Sequence, residues 1–373
     1  MVAPEIDPLT YSSQLEQKLG RFKADFAHCG LPEPESYPSS PLHYRMRAEF
    51  RMWHEGERVS YAMFDPADPK VPVTLETFPV ACASICALMP RLREHLEASD
   101  SLKSRLFQVN FLATLSGQML VTLIYHRQLN EDWQIAAEAL ATRLDIQLIG
   151  RSRKQKRVLG CDWVEESFEL NGRQLRYQQI EGSFSQPNAG VNRQMLAWAS
   201  RQAAGLGGDL LELYCGNGNF TVALAPFFDQ VLATEVSKSS VAAAQHNLAA
   251  NQVGNVVLVR MSSEEISEAF AGTRPFERMK AIDLDSYRFS TLFVDPPRSG
   301  LDSTTLALAS RFEHVLYISC NPQSLRENVA ALQDSHQIST AAVFDQFPYT
   351  HHLECGLLLT RRQESACCAN PPK

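Results

Sequence analysis

Leu211-Glu212-Leu213-Tyr214-Cys215-Gly216-Asn217-Gly218-Asn219-Phe220 decides how the second half of this chain folds. A short apolar run breaks into two glycines and then resumes, which reads as a strand, a tight turn and the start of a helix. The glycines let backbone come close to a ligand. The dinucleotide fingerprint GxGxxG is not completed, because Thr221 stands where the third glycine belongs. Downstream, Val231–Glu235, Val256–Met261, Thr291–Val294 and Val315–Ser319 read as further strands. Residues 238–251, 303–311 and 323–333 read as helices between them. That alternation is the signature of an α/β fold with a doubly wound, mostly parallel sheet.

Ligands of such sheets bind at the carboxyl ends of the strands, and chemistry-bearing residues stand at those ends here. Glu235 closes the strand after the glycine turn, where an acidic residue grips ribose hydroxyls. Asp295 opens Asp295-Pro296-Pro297-Arg298, a rigid turn that aims a carboxylate into the site. The plain alternative is an ordinary loop. Cys320 ends a buried strand and is followed by Asn321-Pro322, which stops a strand and opens a helix. A thiol there is a nucleophile as its thiolate; taken alone, it reads as a small buried hydrophobe. Glu354 begins a last apolar strand, placed beside a sheet edge where a proton acceptor reaches the site. His351 and His352 lack the partner spacing of a metal site, and no metal is expected.

The first half has a different texture. Residues 1–40 predict a helix over 9–28 and a Pro/Ser-rich linker, packing on the catalytic domain. Residues 41–180 predict a smaller α+β domain with RNA-binding character. In His43-Tyr44-Arg45-Met46-Arg47-Ala48-Glu49-Phe50-Arg51-Met52, period two puts Tyr44, Met46, Ala48, Phe50 and Met52 on one face. Arg45, Arg47 and Arg51 share the other, as phosphate clamps or as a solvated sheet face. Five basic residues follow Gly150 within seven positions, a solvated loop or a phosphate-contact run. Phe107 and Tyr125 are candidates for stacking on a base, with core packing as the alternative. The doubly wound α/β domain is expected over 181–364 and a frayed tail over 365–373.

The net charge is −7, but 41–180 is the least acidic segment, so global charge does not exclude a nucleic-acid partner. The nine cysteines form no CxxC pair and are read as reduced thiols of a cytoplasmic protein. No apolar run is long enough to span a bilayer, and no secretory leader is recognisable at the N-terminus.

Taken together, FSQPN at 184–188, LYCGNGNF, FVDPPRSGLD, YISCNP and FPYTHHLE resemble the RNA uridine C5-methyltransferase family. With HYRMRAEFR and no separate N-terminal barrel, the chain is most similar to its bacterial tRNA (uracil-5-) branch. The resemblance implies a Rossmann-like class I methyltransferase domain using S-adenosylmethionine, for which ExxxGxG, Glu212 to Gly218, is the cofactor loop. It implies 5-methyluridine formation in the T-loop of tRNA on a flipped-out base, by a monomer. Cys320 then adds to uracil C6 and Glu354 removes the C5 proton. Tyr214, Gly216, Asn219, Glu235 and Asp295 hold the cofactor. Gln186 reads the uracil edge, lines the cofactor pocket, or both. Arg298 steadies the developing enolate, or makes a phosphate contact or a structural ion pair. Cys29, Cys82, Cys86 and Cys161 lack the tight spacing of an iron–sulfur site, and none is expected. Ser262 replaces the acidic residue that often meets adenine, so adenine recognition stays unassigned, as does any role of Cys367 and Cys368. Rival readings are a ribosomal-RNA uridine methyltransferase, an amino-group methyltransferase of the DPPY type, and an RNA-folding factor that retains the site.

Overall fold

A computed structural model describes residues 6–65 and 68–363. The tail 365–373, with Cys367 and Cys368, lies outside the described residues.

The larger body is an eight-stranded sheet. Its order is Glu35–Tyr37, His336–Phe344, Glu354–Arg361, His314–Ser319, Phe289–Val294, Asp209–Leu213, Val231–Thr234 and Val256–Val259. All neighbours run parallel except Glu354–Arg361, which is antiparallel to both strands beside it. From Asp209–Leu213 the chain builds outward to Val256–Val259, then returns to add Phe289–Val294 on the other side. The order therefore reverses next to the glycine turn, and such a reversal opens a crevice for a ligand.

Three details differ from the sequence expectation. Glu354 does not begin an edge strand: Glu354–Arg361 is flanked by two strands, and its side chains are buried through Leu359. Residues 31–41 are not only a linker, since Glu35–Tyr37 pairs in parallel with Ala342–Phe344. The hairpin Trp163–Leu170 and Arg173–Ile180 packs Phe168, Leu175 and Tyr177 into the same core as Met195 and Phe220. Val164 of the same hairpin packs instead on Leu112, Leu120 and Ile149 of the smaller sheet, so the hairpin bridges the two.

The smaller body is a seven-stranded, mainly antiparallel sheet with Asp68–Leu75 at one edge and Gln155–Leu159 at the other. Helices Ala83–Glu97 and Glu131–Leu144 cover its apolar face. The period-two reading holds residue by residue: Tyr44, Met46, Ala48, Phe50 and Met52 are all buried there. Helix Tyr11–Asp25 lies on the larger body, with Phe22 and Phe26 in its core.

Candidate active site

The larger sheet positions a cavity of about 840 Å³ at the carboxyl ends of its central strands. Its lining includes Gln186, Tyr214, Gly216, Asn219, Glu235, Asp295, Arg298, Cys320 and Glu354. Nine of the residues expected in the site therefore converge on one space, although they come from six separate stretches of chain.

The glycine turn is shaped for close approach. Tyr214, Gly216 and Gly218 all take left-handed backbone, φ +60°, +56° and +80°. A Cβ built on Gly216 would meet nothing within 4 Å, so that backbone faces open space. Glu235 supports the turn from the next strand: one carboxylate oxygen accepts the Gly216 N–H at 3.1 Å and the other accepts the Ser237 N–H at 2.7 Å. Each oxygen keeps a lone pair for a ligand hydroxyl. Asn219 is fixed by a reciprocal amide pair with Asn192, at 2.9 and 3.1 Å. Ser262 caps helix Ser263–Phe270 in a capping box with Glu265, which presents Ser262 and Ser263 to the cavity.

The reacting end is dominated by carboxyls held out of water. Glu354 is 4% exposed; desolvation, then the Asp295 charge, push its pKa up to about 8, while Arg298 acts the other way. Asp295 reaches about 7 through desolvation alone. The Cys320 thiol is pushed up to about 11 by desolvation and by the Glu354 and Asp295 charges, again eased by Arg298. In the resting site the thiol is protonated, and Glu354 is mostly so at neutral pH. Three ionisable groups with raised pKa values lining one cleft are characteristic of a catalytic centre. Arg298 contacts His352, Nη2 to Nδ1, at 3.2 Å. It makes no ion pair with a carboxylate among the described residues, so the structural ion pair is not seen.

Glu212, which opens the ExxxGxG loop but carries no role of its own in the sequence reading, is a further functional candidate. It is 0% exposed, and among the described residues neither carboxylate oxygen has a hydrogen-bond partner. Desolvation and Asp295 raise its pKa to about 8. The Thr221 hydroxyl beside it eases this, yet it too meets no partner in hydrogen-bond geometry. A buried, unpaired carboxyl costs stability unless a ligand completes it. Phe184, 75% exposed, is a second omission: it stands on the cavity lining, where an aromatic face is available to a base.

The arginine strand divides. Arg45 Nε donates to the Arg47 carbonyl at 2.8 Å, and Arg47 Nη1 donates to the Ser183 carbonyl at 2.5 Å. Arg47 through this bond, and Arg45 through a backbone bridge to Asn188, tie the smaller sheet to the segment that carries Gln186; the Arg45 guanidinium bonds within its own strand, and Arg47 is not a free phosphate clamp. Arg51 alone is exposed, its guanidinium 5.2 Å from the Phe64 ring and 5.3 Å from the Phe107 ring. Phe107 stacks on His126 with centroids 4.1 Å apart. This forms a cationic, aromatic surface fit for stacking and phosphate contact. Tyr125 is not part of it, being core with its hydroxyl on the Leu102 carbonyl. The basic run after Gly150 is also partly engaged, since Arg151 and Lys156 both pair with Glu181.

Known proteins are similar to this chain to different extents. The family model described as tRNA (Uracil-5-)-methyltransferase matches residues 10–362. A protein of Aromatoleum aromaticum called tRNA/tmRNA (uracil-C(5))-methyltransferase is 68% identical over 362 residues, covering 97% of this chain and 98% of its own. One of the same name from Ectopseudomonas mendocina is 54% identical, covering 97% and 100%. Among solved structures, Pyrococcus abyssi tRNA (uracil-54, C5)-methyltransferase in complex with S-adenosyl-L-homocysteine aligns at TM-score 0.73 and 20% identity, covering 94% of this chain and 83% of that one. That likeness shows a shared fold, which is a Rossmann-like methyltransferase fold. Among the described residues, no helix is long and apolar enough to cross a membrane.

Proposed function

This chain belongs to the tRNA (uracil-5-)-methyltransferase family, and on that premise we propose that it forms 5-methyluridine in the T-loop of tRNA by covalent catalysis through Cys320. The observation that carries the reading is the shared cavity: Cys320, Glu354 and Asp295 line the same space as the glycine turn.

The residues present fit S-adenosylmethionine. The orphaned Glu212 carboxyl suits a cationic ligand, Glu235 suits ribose hydroxyls, and the open face of Gly216 admits backbone approach. Tyr214, Asn219 and Asp295 complete the holding set. When bound, that cofactor supplies an electrophilic methyl group.

Uracil C5 is too weak a nucleophile to take a methyl group unaided. The Cys320 sulfur, once it has lost its proton, adds to C6 and makes C5 enolate-like. Arg298, a cationic influence on both Cys320 and Glu354, steadies the thiolate and the enolate oxygen. After C5 carries its methyl group, ionised Glu354 takes the remaining C5 proton, the C5–C6 double bond re-forms and the thiolate leaves. The target base reaches the cavity only by leaving its loop, and Gln186 and Phe184 are placed to receive it.

The thiol and its carboxyl partner favour this reading over amino-group methylation, which needs neither. The relatives' names extend the substrate to tmRNA, and we include it as a second RNA. The test is incubation with S-adenosylmethionine and an unmodified tRNA transcript, beside the same transcript with the T-loop uridine changed to cytidine. 5-Methyluridine by mass spectrometry on the first alone is expected. No product on either, with ribosomal RNA methylated instead, would overturn the substrate.

A further inference from the structure

Gln346 is fully enclosed, 0% exposed, just after strand His336–Phe344, and its amide is held at both ends. Its Oε1 accepts the backbone N–H of Asn188 at 3.1 Å. A backbone N–H can only donate, so this bond fixes which end of the Gln346 amide is oxygen. Its Nε2 therefore faces the other way and donates to Gln186 Oε1 at 3.2 Å. The Met195 sulfur, a weak acceptor, lies 3.3 Å from the same nitrogen, which agrees with that assignment. The orientation is passed on. With its oxygen engaged, Gln186 has its own NH2 left for the cavity it shares with Cys320 and Glu354. Among the described residues that NH2 has no hydrogen-bond partner.

We infer that Gln346 is a positioning residue for base specificity: it locks the Gln186 amide as a hydrogen-bond donor towards the pyrimidine, so that the site accepts a carbonyl and rejects an amino group. The inference rests on the reading of this site as uridine C5-methyl transfer. It supplies something that the covalent chemistry lacks, because a thiolate can add to C6 of cytosine as it does to C6 of uracil. The rings differ at position 4, where uracil has an acceptor oxygen and cytosine a donor NH2. A donor facing a donor leaves both unpaired in a water-poor cavity. An amide free to turn over would suit either ring, since its two ends are nearly the same shape. The lock removes that freedom, and it is built from the chain turn that also leads into Glu354.

The test uses the full chain with T-arm hairpins carrying uridine or cytidine at the target position, and reads the ratio of kcat/KM for the two. Wild type is expected to methylate uridine. Gln346→Met, of similar size but without either hydrogen bond, is expected to lower the uridine:cytidine ratio by ~10-fold or more, the penalty of an unpaired buried donor. Gln346→Glu at pH 8.5 keeps an acceptor for Asn188 and offers Gln186 a second oxygen. Gln186 then turns over, and the ratio shifts towards cytidine. This second variant carries the test if the first folds poorly. Hairpins with 4-thiouridine or 2-thiouridine locate the contact, and weakened recognition at position 4 is expected. Retention of the wild-type ratio in both variants, or sensitivity at position 2 alone, would overturn the lock. Failure of wild type to methylate uridine would instead overturn the reading beneath it.

Discussion

Ser319 pairs with Cys355 across two antiparallel strands, so Cys320 and Glu354, the next residue on each strand, arrive at the same end of the sheet. The proposed nucleophile and the proposed base are separated by 33 residues of sequence but joined by strand register. A one-residue slip would turn Glu354 to the opposite face of the sheet.

That pairing separates two half-reactions. Cys320→Ala should abolish both turnover and covalent capture of RNA. Glu354→Gln should still add to C6 but lack the base that releases the product. A long-lived protein–RNA adduct on denaturing gels is expected for Glu354→Gln and none for Cys320→Ala. An adduct with the alanine variant would remove Cys320 from the mechanism.

Burial of the carboxyls also fixes the pH response. The pKa values of Glu354 and Glu212 rise from 4.5 to about 8, and that of Asp295 rises from 3.8 to about 7. The folded chain thus binds these protons more tightly than the unfolded chain. Their stabilising contribution is fully present below pH 4 and is lost as pH rises to about 8, at roughly 1.4 kcal/mol for each tenfold difference in proton affinity between the folded and unfolded chain. The ligand-free protein should melt at a progressively lower temperature over that range. Glu354→Gln should flatten the slope and melt several degrees higher at pH 8.5. Activity should run the opposite way, because proton removal requires ionised Glu354; the product-release rate should climb through pH 8. A Tm that rises over the same range would contradict the burial argument.

What was legible in the sequence follows from how local each signal is. Cys320 and Asp295 sit where an apolar run meets a proline break, a pattern contained within six residues. The glycine turn is equally local, and the strand alternation around it predicts the parallel sheet. Glu354 was placed correctly on a strand but wrongly at an edge, because strand order is set by pairing between distant segments. Arg45 and Arg47 misled for the same reason. Period two shows which face a side chain takes, but not that the 183–188 segment runs across that face. Gln346 gave no signal, since its role comes from one backbone N–H and one side chain more than 150 residues away.

The proposed RNA surface should therefore depend on Arg51 more than on its two neighbours. Arg51→Ala should weaken tRNA binding and lower the salt slope by about one phosphate contact. Phe107→Ala and Phe184→Ala should weaken it with little change of slope, as loss of stacking does. Arg47→Ala should instead act through the Ser183 carbonyl and loosen the Gln186 segment, raising KM for RNA without changing the salt slope. Filter binding at several salt concentrations distinguishes these cases. Equal slopes for the Arg51 and Arg47 variants would return both to a single clamp.

The cofactor end offers a cleaner contrast. Glu235→Gln keeps the shape and can still accept one N–H, but loses the charge and half of the acceptors that hold Gly216 and Ser237. Binding of S-adenosylmethionine should weaken by about tenfold to a hundredfold, the worth of one or two charge-assisted hydrogen bonds. Calorimetry on the free protein measures it without RNA. Unchanged affinity would assign the ribose to another acceptor.

The last relationship reaches the site from outside it. Lys18, in the N-terminal helix, is 6% exposed; its Nζ lies 2.6 Å from Asp345 Oδ1 and donates to the Phe347 carbonyl at 2.9 Å. Burial lowers its pKa, and Asp345 opposes that. The turn it grips runs on through Tyr349, whose backbone is left-handed at φ +62°, to His352 beside Arg298 and then to Glu354. Lys18→Met would strand the Asp345 charge with no counter-ion, a loss of about 3–5 kcal/mol for a buried pair. The turn would be released at the same time. A lower Tm and a reduced kcat are expected together, with the affinity for S-adenosylmethionine kept. The double variant Lys18→Met, Asp345→Asn removes both charges and should recover most of the Tm. It should recover less of the kcat, because the Phe347 carbonyl remains unheld. Full recovery of both would mean that the pair contributes to folding alone.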